Sequence, residues 1–318
     1  MYGHRILRGL IDGPENQKEI PQTHTHLHAV GVGFPIIGSV GKLNFSGLRL
    51  WVHAFSVYLL RMQAILFDMD GVLYNSEDPI AGAADVLRWV RTRQIPHLFV
   101  TNTTSRGRDL LVEKLQRFGI PAEPDDILTP CVAATELLRT RGGNVALFVS
   151  PKARHEFAGL PCLSDDAEAG ASHVVIGDLG QGWDFHTLNR AFRLLYSNPE
   201  ASLIALGGTR FWQAADGLRL DAGPFVAALE YATGRKAIVC GKPAEHFFHA
   251  AAAKLGLPVD EILMIGDDLD IDVGGAQRAG LKGALVQTGK FRPADPDRAV
   301  KPDVVLDSIA ALPAWWPS

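Results

Sequence analysis

The sequence predicts an α/β fold: a parallel sheet with helices on both faces, in which a middle region repeats the pattern before the chain returns to the first sheet. Three observations predict it. From Met62 onward, short apolar runs alternate with segments whose apolar residues recur at helical spacing. The apolar runs are short and nearly continuous, as strands buried on both faces are. Polar and charged residues collect immediately after four of these runs, where open α/β sheets place their ligand crevice.

The elements follow in order. A strand is expected over residues 64–67, then a helix in which Ile80, Ala83, Ala84, Leu87 and Val90 share a face. A strand over residues 97–102 precedes a helix through Leu110, Leu111, Leu115 and Phe118 that stops at Gly119. Thr129 and Pro130 supply an N-cap and a first-turn residue for a helix over residues 131–138. In the middle region, strands are expected over 144–150, 173–179 and 202–207, with helices over 185–195 and 225–232. "AIVCGKP" then opens the return to the first sheet, followed by a helix with Phe248, Ala251, Ala252 and Leu255 on one face, and by strands in "ILMIGDD" and "GALVQTG". Arg88, Arg91 and Arg93 read as a solvated helix face rather than a binding patch.

Residues 1–61 differ from the rest. "DGPENQKEIPQTHTHLH" and "VGVGFPIIGSVGK" are rich in glycine and proline and hold no sustained period, so an upstream extension, disordered or loosely packed, is expected there. Met62, directly before the first convincing strand, is the expected natural start. His24, His26 and His28 would share one face of a strand, but no carboxylate cluster accompanies them. Gly31 and Gly33 begin a dinucleotide-like pattern that Pro35 and Ile36 break. "LWVHAFSVYLL", over residues 50–60, is too short to span a membrane and reads as a packed helix or strand, or as unstructured chain.

Composition narrows the function classes. The chain of 318 residues is 47% hydrophobic and 21% charged, which is ordinary for a globular protein with a sizeable core. A net charge of -4 and a pI near 6.3 oppose a nucleic-acid footprint, so the expected partner is a small molecule, without nucleic acid or membrane. Cys131, Cys162 and Cys240 form an odd, widely spaced set, which opposes a disulfide framework or a zinc knuckle and points to the cytoplasm.

The chemistry lies at the ends of the apolar runs. "ILFDMDGVLY", over residues 65–74, ends a strand on Asp68 and Asp70, two like charges that repel unless a cation or a proton intervenes. Thr101 and Asn102 follow the second run, Lys242 follows Gly241, and Asp267, Asp268, Asp270 and Asp272 follow the run "ILMIG". Each alone has an ordinary structural use as a helix cap, a backbone hydrogen-bonding group or a solvated charge. Together, in this order on successive strand ends, they do not.

The set resembles the haloacid-dehalogenase-like (HAD) phosphohydrolase superfamily, whose four motifs are matched by "DMDG" at 68–71, "VTN" at 100–102, "GKP" at 241–243 and "GDDLDID" at 266–272. The long insert between "VTN" and "GKP", with "QTGKFRP", is similar to the type IIA branch. "GLRLDAGPFVAALEYATGRKA" resembles the phospholysine phosphohistidine inorganic pyrophosphate phosphatases and their HAD-like hydrolase domain-containing relatives. The resemblance implies a Rossmann-like core over residues 62–140 and 239–318, an inserted α/β cap domain of the C2 type over 141–238, Mg2+ as cofactor, a small phosphorylated substrate and a possible homodimer.

It also implies roles, which the chemistry of these residue types supports. Asp68 is the expected nucleophile, forming an aspartyl-phosphate, and Asp70 the acid and base that serves leaving group and water. Thr101, Asn102 and Lys242 are expected to bind the transferring phosphoryl group, and Lys242 to neutralise Asp68. Asp68, Asp267 and the Asp70 carbonyl would ligate magnesium, with Asp272 also at the metal but acting through its waters; Asp268 is open between ligand and solvated residue, and Asp270 reads as solvated. Phe211 and Trp212 read either as cap residues closing on a substrate or as core. The alternatives to a phosphatase are a catalytically silent protein that keeps the fold and a dehalogenase, which needs neither Asp70 nor the acidic cluster. A phosphoacceptor domain is opposed because Lys242 precedes the last acidic cluster.

Overall fold

The computed structural model describes residues 62–214, 217–294 and 298–317. The expected extension over 1–61, with the start at Met62, His24, His26, His28, Gly31, Gly33 and the apolar run at 50–60, lies outside the described residues apart from Met62 itself.

The chain begins with β1 (Ala64–Asp68), a short hairpin of β2 (Tyr74–Asn75) and β3 (Asp78–Pro79), α1 (Ala83–Thr92), β4 (His97–Val100), α2 (Arg108–Arg117), β5 (Ile127–Leu128) and α3 (Pro130–Arg141). The insert contains β6 (Val145–Phe148), β7 (His173–Ile176), α4 (Phe185–Tyr196), β8 (Ser202–Ala205), a hairpin of β9 (Phe211–Ala214) and β10 (Gly217–Leu220), α5 (Ala222–Thr233) and β11 (Ile238–Val239). The chain closes with α6 (Glu245–Leu255), β12 (Ile262–Gly266), a π-helical turn at Leu269–Gly274, α7 (Gly275–Arg278), β13 (Lys282–Val286), β14 (Val304–Leu306) and α8 (Leu312–Trp315).

Two parallel sheets result. The core sheet runs β14-β13-β12-β1-β4-β5 and the cap sheet β11-β8-β7-β6. Alternation explains the continuous apolar runs. Along β1, Ala64 and Leu66 face a cluster with Cys131, Leu138, Phe247 and Phe248, whereas Ile65 and Phe67 face one with Val86, Leu87, Leu111 and Leu115. In the cap sheet, Ala146, Phe148, Val174 and Ile176 pack on Leu194, Leu195, Val226 and Leu229 of α4 and α5. Its other face, with Val145, Leu147, Val175 and Ile204, joins the core cluster of Leu66 and Phe248. Cap and core therefore share one apolar interior.

The expected helices are present, and local chemistry sets their ends. Thr129 caps α3, its hydroxyl accepting from Val132 N at 3.3 Å. Helix α5 begins three residues earlier than its periodicity implies, because Asp221 caps it by accepting from Ala222 N at 2.7 Å. Arg88 and Arg91 lie on the exposed face of α1, Arg88 paired with Asp85.

One strand departs from expectation. The run after Ala237 pairs with β8 in the cap sheet, with Ile238 opposite Ile204, and does not return to the first sheet. Two residues cannot compete for a place inside a six-stranded sheet whose edges are already filled by β14 and β5, and the neighbouring open edge is that of β8. Of the four polar strand ends, three belong to the core sheet and the one bearing Lys242 to the cap sheet.

Phe248 is completely buried between the core sheet and α7, where even a Cβ on Gly275 would lie 2.9 Å from its ring. Phe248→Ala is expected to lower stability by about 3–5 kcal/mol through lost burial and a residual cavity, read from the urea midpoint of unfolding with native circular dichroism retained.

Candidate active site

β1 sits between β4 and β12, with Asp68 level with Val100 and Phe67 level with Ile265. Asp68, Thr101 and Asp267 consequently emerge side by side at the carboxyl ends of three adjacent strands. Lys242 arrives from the cap side. Its ammonium lies 2.8 Å from Asp68 Oδ1 and 2.7 Å from Asp272 Oδ1, and all three residues are buried. Asp68 Oδ1 also accepts from Met69 N at 2.8 Å.

Asp267 completes the cluster. Its Oδ2 accepts from Lys290 N at 2.7 Å, while Oδ1 is buried with no hydrogen-bond partner among the described residues. One oxygen from each of Asp68, Asp267 and Asp272 falls within 4.8 Å of the others. Three buried carboxylates against one buried ammonium leave two excess negative charges. That imbalance, the all-oxygen donor set and the orphaned Oδ1 fit a hard divalent cation. Two glycines make the approach possible. A Cβ on Gly71 (φ +88) or on Gly289 (φ +63) would lie 2.2 Å from Asp267 Oδ2, so any side chain there would displace the carboxylate.

The electrostatics follow from burial. Burial pushes the Asp68 carboxyl above its ordinary range against the pull of Lys242. Burial, and then Asp272, push Asp267 up to about 6. Asp272 is raised by burial and by Asp68. Burial disfavours the Lys242 charge, but Asp272 and Asp68 together outweigh it and hold the ammonium above its usual range.

The remaining expected residues take distinct places. Strand β1 ends at Asp68, so strict alternation does not extend to Asp70, which is exposed at the cleft and accepts from Ser76 N at 3.1 Å. The Asp70 carboxylate lies outside the buried trio, whereas Asp272, expected beside the metal but reaching it through water, lies within the trio. Thr101 is buried, its hydroxyl 3.0 Å from that of Thr103. Both ends of the Asn102 amide meet the Lys242 backbone: Oδ1 accepts from Lys242 N at 2.8 Å and Nδ2 donates to Lys242 O at 2.9 Å. Asp268 caps the π-helical turn through Asp270 N and Ile271 N, and Asp270 is exposed and paired with Arg298 at 2.7 Å.

A cleft of about 410 Å³ opens above these groups. Its core wall includes Tyr74, Glu77, Arg106 and Lys114, and its cap wall Asp178, Trp212 and Asp221. Trp212 thus faces the cleft at 42% exposure, which decides against core packing. Sequence reasoning missed Lys290 and the two acids of the cap wall. For Lys290 a signal existed, since "TGK" follows a strand much as "GKP" does; for Asp178 and Asp221 none did, because neither stands in a motif that singles it out.

Comparison with known proteins places this arrangement. A model described as haloacid dehalogenase-like hydrolase matches residues 65–160, and a HAD-hydrolase-like model matches residues 239–312. The chain belongs to the haloacid dehalogenase-like hydrolases. More particularly, it is 40% identical over 237 residues to the haloacid dehalogenase-like hydrolase domain-containing protein 2 of Bos taurus, covering 74% of this chain and 88% of that one. It is 36% identical over 257 residues to the human phospholysine phosphohistidine inorganic pyrophosphate phosphatase, covering 79% and 93% respectively. Among solved structures, the p-nitrophenyl phosphatase from Archaeoglobus fulgidus has a TM-score of 0.72 at 27% identity, covering 78% of this chain and 97% of that one. The chain is an enzyme of this hydrolase family, and two of these three relatives are named as phosphatases.

A pH dependence follows. The raised carboxyls bind protons more tightly in the folded than in the unfolded chain, so they destabilise the metal-free fold at high pH and this penalty is relieved as pH falls through about 7 to 5. A divalent cation competes for the same oxygens. Its increment in melting temperature over chelated protein, worth about 2.7 kcal/mol at a hundredfold excess over Kd, is expected to be largest near pH 8 and to shrink toward pH 5; an increment independent of pH contradicts the assignment.

Proposed function

We propose that this chain is a magnesium-dependent phosphatase that hydrolyses a small phosphorylated substrate, a phosphoester, phosphoramidate or pyrophosphate, through an aspartyl-phosphate on Asp68. The single observation that carries the reading is the buried Asp68 carboxylate at the cleft floor, held by Lys242 at 2.8 Å, with the exposed Asp70 carboxylate lining the same cleft. Nucleophile and proton carrier are thereby separated by environment, although they are two residues apart.

The step is a pair of in-line displacements. Oxygen of Asp68 attacks phosphorus, the bond to the leaving group breaks, and Asp70 gives its proton to the departing atom. Asp70 then takes a proton from water, whose oxygen attacks phosphorus and breaks the acyl-phosphate bond, so Asp68 and inorganic phosphate are regenerated. Lys242 offsets the charge of an anionic nucleophile meeting an anionic substrate, and Thr101 and the backbone beside it are placed to hold phosphoryl oxygens. Asp68, Asp267, Asp272 and the Asp70 carbonyl are the groups proposed to hold Mg2+, which when bound neutralises phosphoryl charge.

The cap, proposed over residues 141–238 and carried on by Val239 of β11, selects the leaving group with Asp178, Trp212 and Asp221. We extend the reading to a cytosolic homodimer. No helix among the described residues is long and apolar enough to cross a membrane, and the cap hairpin exposes Leu218 and Leu220. Sedimentation of a monomer at working concentration would remove the dimer from the proposal.

A panel of p-nitrophenyl phosphate, pyrophosphate, phospholysine and phosphohistidine, with and without magnesium, tests the whole reading, and metal-dependent phosphate release is expected. Asp68→Asn is expected to lower kcat by at least about four orders of magnitude, as loss of a nucleophile does. Asp70→Asn is expected to cost about 10²–10⁴-fold, the range of a lost acid and base. Undiminished turnover by Asp68→Asn would establish a different mechanism, and a flat panel a silent binding protein.

A further inference from the structure

We infer that Asn102 is a positioning residue whose side-chain amide locks the backbone of Lys242 to the core, fixing the ammonium between Asp68 and Asp272 independently of the cap strand from which Lys242 emerges. The inference rests on the phosphatase reading and gives this side chain a role other than direct phosphate binding.

The problem that Asn102 solves is topological. Lys242 is only three residues past Val239, the end of β11, which belongs to the cap sheet. The cap ladder continues one residue further, with Cys240 N donating to Ala205 O at 2.7 Å. Two residues on, the chain must hold an ammonium 2.8 and 2.7 Å from two carboxylates rooted in the core. A chain advances at most about 3.6 Å per residue, so a displacement of the cap edge three residues away is passed on to Lys242, which the core otherwise anchors through the helix from Glu245 onward, unless its own backbone is held.

Asn102 provides that hold. It is two residues past β4, one of the two strands flanking β1, and 140 positions from Lys242 in sequence. Its Oδ1 accepts from Lys242 N at 2.8 Å while its Nδ2 donates to Lys242 O at 2.9 Å, so the amide pairs with both backbone groups of one residue, as a neighbouring strand would. Only a carboxamide offers donor and acceptor side by side at this reach; aspartate has two acceptors, and leucine has neither. Gly241 is part of the same device. A Cβ there would lie 2.8 Å from Leu206 O and 2.9 Å from Asn102 Oδ1, so the chain passes between cap strand end and clamp with no room for a side chain.

The test uses the full chain, magnesium and p-nitrophenyl phosphate. Asn102→Ala is expected to lower kcat by about 10- to 100-fold, the cost of misplacing a catalytic group by about 1 Å, with KM little changed and the melting temperature near that of wild type. Asn102→Asp keeps the size and the acceptor while losing the donor, and a similar fall in kcat is expected. In a Lys242→Met background, Asn102→Ala is expected to add no further loss, because its effect passes through the missing ammonium. Exchange of the Lys242 amide hydrogen is expected to accelerate by an order of magnitude or more in Asn102→Ala. Wild-type kcat in Asn102→Ala, a raised KM with unchanged kcat, or losses that multiply in the double variant would overturn the inference. A wild-type chain inactive on every phosphorylated substrate would instead sink the phosphatase reading, and amide exchange alone would then decide whether Asn102 holds Lys242.

Discussion

Three buried carboxylates sharing one buried ammonium is the constraint around which the rest of this structure is arranged. Removing a charge from water costs several kcal/mol unless it is compensated at close range, and here Lys242 can compensate only Asp68 and Asp272 in part, leaving Asp267 with an orphaned oxygen. Such an imbalance is relieved by a proton on the raised carboxyls or by a cation entering from the adjacent cleft. It is sustained because the surrounding backbone is rigid: Asp267 is wedged between Gly71 and Gly289, and Asp272 lies so close to Gly266 that a Cβ there would fall 2.2 Å from its own.

The division between core and cap follows from that constraint. Asp68 and Asp267 lie at the ends of central strands packed on both faces, which holds buried charges to fractions of an ångström, whereas Lys242 and Asp272 reach them from outside those strands. The opposite side of the cleft is lined by Asp178, Trp212 and Asp221 of the insert. Neither acid is paired with a cation among the described ion pairs, so the cap wall is electrostatically unlike the lysine-bearing floor.

Core and cap are nonetheless not independent. They share an apolar interior through Leu147, Val175 and Ile204, and a half-buried ion pair joins Arg108 at the start of α2 to Glu156 of the insert, with Arg108 N and Nε both donating to that carboxylate. Lys242 itself is threaded from one to the other, and the Asn102 amide pairs with both of its backbone groups at that crossing.

The amino-acid sequence was sufficient for the alternation of strands and helices from Met62, the two-sided burial of the strands, and the polar residues at their carboxyl ends, because these depend on periodicity and on residue type, which are local. It was enough to single out Asp68, Asp70, Thr101, Asn102, Lys242, Asp267 and Asp272. Only the packed chain decided that Ile238 and Val239 join the cap sheet, that the Asp272 carboxylate lies directly beside those of Asp68 and Asp267, and that Asn102 turns to Lys242. Each of those outcomes depends on which groups meet across tens to more than a hundred residues, and a pattern read along the chain carries no distance between its distant parts.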